Sequence, residues 1–372
     1  MVGGGQLARM SAAPAAALGI NFRVLAASPD ESAAQVVADT HIGRHDDPDA
    51  VAAFARGCDV ITFDHEHVPP AILEQVEALG VAVRPGPSAL FHAQDKAHMR
   101  RALAGFPAPR WTVVTEVQGA IDFAQEVGYP IILKTTRGGY DGRGVWRIES
   151  APDLASAMSV QLPPGAEWLV EECVVFVREL AAQVARSPSG QSVAYPVVQT
   201  IQRDGICAEV IAPAPDLADE RAVEAQRLAL DIAANLEVTG MLAVEMFDTG
   251  SGILVNELAM RPHNSGHWSI EGAVTSQFEN HLRAVLDLPL GAPTTVAPHA
   301  VMINILGGDV PNLYSAFRHV MARDPRLHVH LYGKEVRPGR KVGHVTAVGT
   351  DLPALLDRAR HAADYFMGVI DE

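Results

Sequence analysis

The chain has 372 residues, with 29 Lys and Arg against 44 Asp and Glu and a formal charge of −15, so two or three domains are expected and no basic footprint for nucleic acid is present. No apolar run approaches the ~18 residues of a membrane span, and no charged n-region with an apolar core opens the chain, so no membrane partner and a cytoplasmic location are expected. Cys58, Cys173 and Cys207 are far apart and lack Cys-x-x-Cys spacing, which argues against a disulfide framework or a zinc site.

The first ten residues read as a strand-to-helix glycine turn at Gly3, Gly4 and Gly5, with only Met1 and Val2 to form a strand that normally takes ~5 residues. Either that strand is unusually short or the natural start lies upstream. Pro14 predicts that the following helix breaks or starts late. Strands at 23–26, 60–63 and 81–83 then alternate with helices at 48–56 and 71–79, a pattern of parallel sheets with right-handed crossovers. Ligands of such sheets sit beyond the carboxyl ends of the strands, where both the glycine turn and Asp64-His-Glu-His67 fall. The turn lacks the third glycine of a dinucleotide fingerprint. His65 and His67 alternate on extended chain and could ligate a metal, although no third ligand accompanies them.

Residues 88–103 predict one helix capped by Ser88 and carrying Lys96, Arg100 and Arg101, after which Pro107 and Pro109 mark a joint. A second α/β unit covers 111–148, and Pro163-Pro-Gly165 is expected to end it. Within this unit the apolar run 129–133 reads as a buried strand ending on Lys134. Lys134-Thr-Thr-Arg-Gly-Gly-Tyr-Asp-Gly-Arg-Gly-Val145 follows. Its four glycines allow close backbone approach and its cations suit a polyphosphate, while a mobile surface loop would have a similar composition. No Gly-Lys-Ser/Thr closes it as in a Walker A loop. Strands are predicted at 168–170, 179–185, 194–201 and 207–212, then a helix at 219–236 with Leu228, Ile232 and Leu236 on one stripe.

Two apolar runs, 241–247 and 253–257, are joined by Asp248-Thr-Gly-Ser-Gly252, a loop of hairpin length. A hairpin centred near residue 251 pairs Glu245 with Glu257, which brings two carboxylates within ~5 Å of each other at Cβ. Such a pair repels and is expensive to bury unless a cation intervenes. With the Asn256 oxygen beside it, the all-oxygen set selects Mg²⁺ or Mn²⁺. Arg261, His263, Asn264 and His267 follow at once and suit an anionic second substrate. Lys334, Arg337, Arg340 and Lys341 form a local basic cluster that can hold a phosphate in an acidic protein.

Together these segments resemble the ATP-grasp superfamily, and within it the carboxyaminoimidazole ribonucleotide synthases of purine biosynthesis. The resemblance runs from Gly3 to at least His344. It is carried by Gly-Gly-Gly-Gln-Leu-Ala-Arg-Met, Gly-Gly-Tyr-Asp-Gly-Arg-Gly, Asn-Glu-Leu-Ala-Met-Arg-Pro-His-Asn-Ser-Gly-His-Trp and Lys-Glu-Val-Arg-Pro-Gly-Arg-Lys-Val-Gly-His. It implies an α/β N-terminal parallel-sheet domain at 1–92, an α+β ATP-grasp domain of two lobes at 93–290 and a small β-rich C-terminal domain at 291–372. It also implies a homodimer that uses ATP, bicarbonate and 5-aminoimidazole ribonucleotide and passes through carboxyphosphate to the N-carboxylated ribonucleotide.

By position, the resemblance assigns ATP to Lys96, Lys134, Gly139, Tyr140, Asp141, Gly142, Arg143, Gly144 and Val145. Glu171, Glu172, Cys173 and Val174 would line the adenine pocket, Glu179 would take the ribose, and Gln202, Asn256 and Glu257 complete the nucleotide set. The metal falls to Glu245, Glu257 and Asn256. Tyr140, Arg261, His263 and Lys341 would orient bicarbonate and carboxyphosphate, and Gln6, Glu66, His67, Asn264, Lys334 and Arg340 the ribonucleotide. Phe91, Gln202 and Met260 depart from residues common in the family, without removing a metal ligand. Rival readings are another ATP-grasp carboxylate-amine ligase or a formyl-phosphate-using purine enzyme, a nicotinamide-dependent dehydrogenase built on the Gly3 turn, and a non-catalytic ATP sensor.

Overall fold

A computed structural model describes residues 1–139 and 144–371. Val2 is the centre of the N-terminal sheet: it bridges Leu25 on one side and Phe63 on the other, both in parallel. These bridges join the parallel ladder Arg23–Ala26 with Asp39–Ile42 to the parallel ladder Val60–Ile61 with Ala82–Val83. The first strand is thus a single fully buried residue, held by Val2 N–H donating to Thr62 O at 2.7 Å and Gly3 N–H donating to Leu25 O at 2.9 Å. The helix Gln6–Ala17 continues through Pro14, against the break expected there. Leu7, Ala8, Ser11 and Ala15 bury one face, and Pro14 O still accepts from Leu18 N–H at 3.0 Å, so packing outweighs the one bond that proline cannot donate. Asp39–Ile42 was not expected because an exposed edge strand needs no apolar alternation.

The single helix expected at 88–103 is two, Pro87–Gln94 and Lys96–Ala102, separated by Asp95 in extended conformation at φ −134°, ψ 110°. Ser88 is not the cap; Gly86 occupies that position with Pro87 at the first helical site. Asp95 explains the break: its carboxylate accepts from His98 N–H at 2.9 Å as the second cap and pairs with Arg137 Nε at 2.6 Å. The second helix is thereby aimed at the site.

The first lobe is a four-stranded antiparallel sheet in the order Trp111–Val114, Trp168–Glu172, Ile131–Thr135, Val145–Ile148. The boundary expected at 163–165 is therefore overturned. Trp168 and Val170 share one apolar cluster with Ile131, Leu133 and Leu154, and burying them there returns the chain into the same sheet.

The second lobe is a nine-stranded sheet whose path runs Ile253–Ala259, Gly240–Asp248, Arg178–Arg186, Val198–Arg203, Ile206–Ala212, His299–Leu306, Lys341–Gly349, His328–Leu331. Ser192–Ala194 pairs with Arg178–Arg186 off that path. The strand expected at 194–201 is divided at Pro196, which has no N–H to continue a ladder. The β-rich C-terminal part has its own apolar cluster under the helices Leu313–Arg323 and Leu352–Met367, yet its strands extend the lobe's sheet. Among the described residues, no helix is long and apolar enough to cross a membrane.

Candidate active site

A cleft of about 850 Å³ opens where the N-terminal domain, both lobes and the C-terminal strands meet. It brings together Gln6, Glu66, His67, Lys96, Lys134, Gly139, Val145, Glu171, Glu172, Cys173, Val174, Glu179, Gln202, Glu245, Asn256, Glu257, Arg261, His263, Asn264, Lys334 and Lys341. Tyr140, Asp141, Gly142 and Arg143 lie outside the described residues. Gly144 stands behind the lining, its carbonyl accepting from Thr135 N–H at 2.9 Å. Arg340 does not line the cleft; its guanidinium donates to the Glu335 carbonyl at 3.3 Å on an exposed turn. A shallower hollow of about 880 Å³ along residues 103–126 collects none of these groups.

The hairpin register places Glu245 opposite Glu257. On the loop side the next pair is Met246 with Val255, so Asn256 is the extra residue of a bulge immediately before Glu257. Lys96 Nζ ion-pairs with Glu257, and Lys134 Nζ lies 3.3 Å from Asn256 Oδ1. Burial, with Glu257 and then Glu179 nearby, pushes the Glu245 carboxyl up to about 7. Burial also opposes charge on Glu257, but Lys96 and Lys134 outweigh it and hold that carboxyl below its ordinary value. An acidic pair in which one member is reluctant to ionise, with an amide oxygen beside it, fits a hard divalent cation. Among the described residues no group of three or more His, Cys, Asp or Glu is placed to hold a metal, which leaves substrate oxygens to complete such a shell. His65 and His67 stack instead, ring centroids 5.3 Å apart.

Lys134 is the penultimate residue of the strand Ile131–Thr135, which runs one residue past the end expected for it, and Glu171 on the adjacent strand reaches it, Oε2 to Nζ 2.6 Å. Arg100 Nε sits 2.6 Å from the other oxygen, Oε1. Although burial opposes its charge, Lys134 and Arg100 hold the Glu171 carboxyl down at about 2. The Glu171 carboxylate is thus committed within the protein, and Phe176, stacked on Phe247 at 4.9 Å, adds an aromatic wall on this side of the cleft.

Across the hairpin, Arg261 Nε pairs with Glu66 Oε2 at 2.7 Å, and His263 Nε2 lies 3.7 Å from Glu245 Oε1. Burial, with Arg261 and Lys341 close by, pushes the His263 imidazole down to about 3, so it is neutral. Its backbone is clamped by Gln277, whose Oε1 accepts from His263 N–H at 2.9 Å and whose Nε2 donates to His263 O at 2.8 Å. Asn264 and Asn304 exchange amide hydrogen bonds at 2.9 and 2.7 Å. Lys334 Nζ donates to Gln6 Oε1, which joins the basic C-terminal turn to the first helix.

Residues 1–94 match the family model for a ribonucleotide synthetase preATP-grasp domain, 100–278 that for an ATP-grasp domain and 300–358 that for a phosphoribosylaminoimidazole carboxylase C-terminal domain. Over 371 residues the chain is 54% identical to N5-carboxyaminoimidazole ribonucleotide synthase of Mycobacterium tuberculosis, an alignment covering 98% of this chain and 86% of that one. The chain belongs to the N5-carboxyaminoimidazole ribonucleotide synthase family. The enzyme of that name from Corynebacterium ammoniagenes is 44% identical over 99% of this chain and 91% of its own. The crystal structure of the Thermus thermophilus synthetase superposes with a TM-score of 0.89 at 35% identity, covering 100% of both chains. That of the Aspergillus clavatus synthase in complex with ADP and 5-aminoimidazole ribonucleotide gives 0.89 at 32% identity over 98% of both.

Three residues of the site in this family member escaped the sequence. Arg100 looked like one more helix cation. Gln277 sits fourteen residues from the backbone it clamps. Asp64 lay inside a histidine cluster, yet its carboxylate accepts from Gly5 N–H at 2.5 Å and Ala8 N–H at 3.1 Å and so fixes the glycine turn beside Gln6. A side chain on Gly5 would fall on that carboxylate. The available signal was Asp64's position at a strand end facing the turn.

Proposed function

We propose that the chain is an ATP-dependent, ADP-forming carbon–nitrogen ligase that N-carboxylates 5-aminoimidazole ribonucleotide with bicarbonate, in purine biosynthesis. The observation that carries this reading is the convergence of Glu245, Glu257 and Lys134 with Arg261 and His263 in one cleft. Lys96 and Lys134 would stabilise the charge of the transferring phosphoryl group as a bicarbonate oxygen bonds to it and the bond to ADP breaks. Glu245, Glu257 and Asn256 would hold Mg²⁺ or Mn²⁺, which supplies further charge neutralisation at the phosphates when bound.

In this reading the carboxyphosphate formed gives up its phosphate, and its carbon bonds to the ribonucleotide amine inside the closed site. Arg261 and His263, with Lys341 and Tyr140, orient bicarbonate and carboxyphosphate. Gln6, Glu66, His67, Asn264 and Lys334 are assigned to the ribonucleotide, with Lys334 and Arg340 on its phosphate; Arg340 would have to leave the Glu335 carbonyl and turn into the cleft to reach it. Gly139 to Val145 covers the ATP phosphates, and Glu172, Cys173, Val174, Glu179 and Gln202 receive adenosine. The neutral His263 can orient an oxygen of the reactants through a ring hydrogen bond without adding charge to the site.

We place the domain limits at 1–92, 93–290 and 291–372 and expect a homodimer, to be checked by light scattering. A charged ribonucleotide substrate also favours the cytoplasm, because it does not cross a bilayer unaided. Phosphate release measured with bicarbonate and aminoimidazole ribonucleotide omitted in turn tests the reaction. Release that depends on both is expected, and release indifferent to both overturns it.

A further inference from the structure

The helix Lys96–Ala102 sits where the N-terminal domain joins the ATP-grasp lobes, and its residues one turn apart reach two different lobes. Lys96 meets Glu257 on the second lobe. Arg100 meets Glu171 on the first lobe with Nε at 2.6 Å, and donates from Nη1 to the Val255 carbonyl on the second at 2.8 Å. Glu171 passes the connection to Lys134 at 2.6 Å. The Arg100 and Glu171 side chains are 1% and 3% exposed, so this pairing is shielded from solvent.

A buried carboxylate with a lysine as its only partner would cancel the charge that a phosphate requires of that lysine. Here two cations share one carboxylate, and the three groups together keep a net positive charge. Arg100 Nη2 is buried without a hydrogen-bond partner, and among the described residues Glu171 is the one carboxylate that the guanidinium meets, its other acceptor being the neutral Val255 carbonyl. We propose that Arg100 is a positioning residue for nucleotide binding: it takes up the charge of Glu171, so that Glu171 fixes Lys134 at the phosphate site without neutralising it, and it ties that site to the strand carrying Asn256 and Glu257. The inference rests on the reading of Lys134 as a phosphate ligand.

Calorimetric titration of Mg·ADP into wild type, K134A, R100K, R100Q and R100Q/E171Q, with thermal melts alongside, tests it. K134A is expected to weaken binding at least tenfold, R100K to bind within about threefold of wild type, and R100Q to weaken binding about tenfold because the unshared carboxylate cancels Lys134. Adding E171Q to R100Q should bring affinity back to within about threefold of wild type, since it removes the cancelling charge. An unchanged Kd in K134A overturns the phosphate-site reading and this inference together. A weakened K134A with R100Q binding as wild type, or no recovery in the double variant, overturns the inference alone; a purely structural arginine would lower the melting temperature and leave the Kd in place. If R100Q does not fold, the double variant, which keeps the cluster's net charge of +1 on Lys134, carries the test: affinity within about threefold of wild type supports the proposal and a larger loss overturns it.

Discussion

Glu245 and Glu257 face each other across one hairpin, and among the described residues a lysine, Lys96, ion-pairs with Glu257 and none with Glu245. The asymmetry divides the pair into a carboxylate already ionised and one that holds its proton up to about pH 7. A divalent cation must displace that proton, so Mg²⁺ affinity should strengthen as pH rises through 7 and level off above it. Titrating Mg²⁺ against thermal stability between pH 6 and 8 checks this, and Glu245→Gln should abolish the pH dependence and cost about 10²-fold or more in kcat. A flat Mg²⁺ affinity in the wild type would remove the assigned metal role.

Glu171 gives the opposite titration. Its folded pKa of about 2 lies below the ordinary 4.5, so its contribution is present above pH 4.5 and is lost as pH falls toward 2. The loss is on the order of 3 kcal/mol. Acid unfolding of Glu171→Gln should lack this component while other carboxylates still titrate, which chemical denaturation at pH 7, 4 and 3 would measure.

His263 is neutral across the working range, so no step at pH 5 to 7 in kcat/KM should trace to it. His263→Ala is expected to lower kcat by about 10²-fold, the cost of misplacing the reactants that it orients, with Mg·ADP affinity unchanged. A variant that lost nucleotide affinity to the same extent would place the imidazole on the nucleotide instead.

Gly266 has no room for a side chain, because a Cβ there would fall on the amides of Gln183 and Gln277. Gly266→Ala should therefore push Gln277 off the His263 backbone and destabilise the fold by about 1 to 3 kcal/mol. Activity should fall further than the melting temperature accounts for; loss of stability with full activity in the folded fraction would show the clamp to be dispensable.

Much of the site was legible because its chemistry is local in sequence. Glu245 and Glu257 flank a glycine-rich turn, and a hairpin centred near residue 251 pairs them; the turn is in fact centred between 250 and 251, with Asp248 opposite Ile253, and the bulge at Asn256 brings Glu257 opposite Glu245. Lys134 stands near the end of an apolar strand, one residue before Thr135 closes it. For the first strand, reduced to Val2, an unusually short strand and a start further upstream stayed open because one residue shows no periodicity, and its place is set by Leu25 and Phe63 on either side. Asp95 and Pro196 divided elements that pattern alone had joined, since a capping carboxylate and a missing N–H act against runs of good formers.

What the sequence determined by itself was the order of α/β and β-rich segments, the carboxylate hairpin, the glycine loop and the family they resemble. Tertiary structure alone decided which of many charged side chains matter. Arg100, Asp64 and Gln277 act through partners 71, 59 and 14 residues away. Whether a cation is a solvated surface charge or half of a buried pair depends on what packs over it, and that is fixed only when distant strands meet.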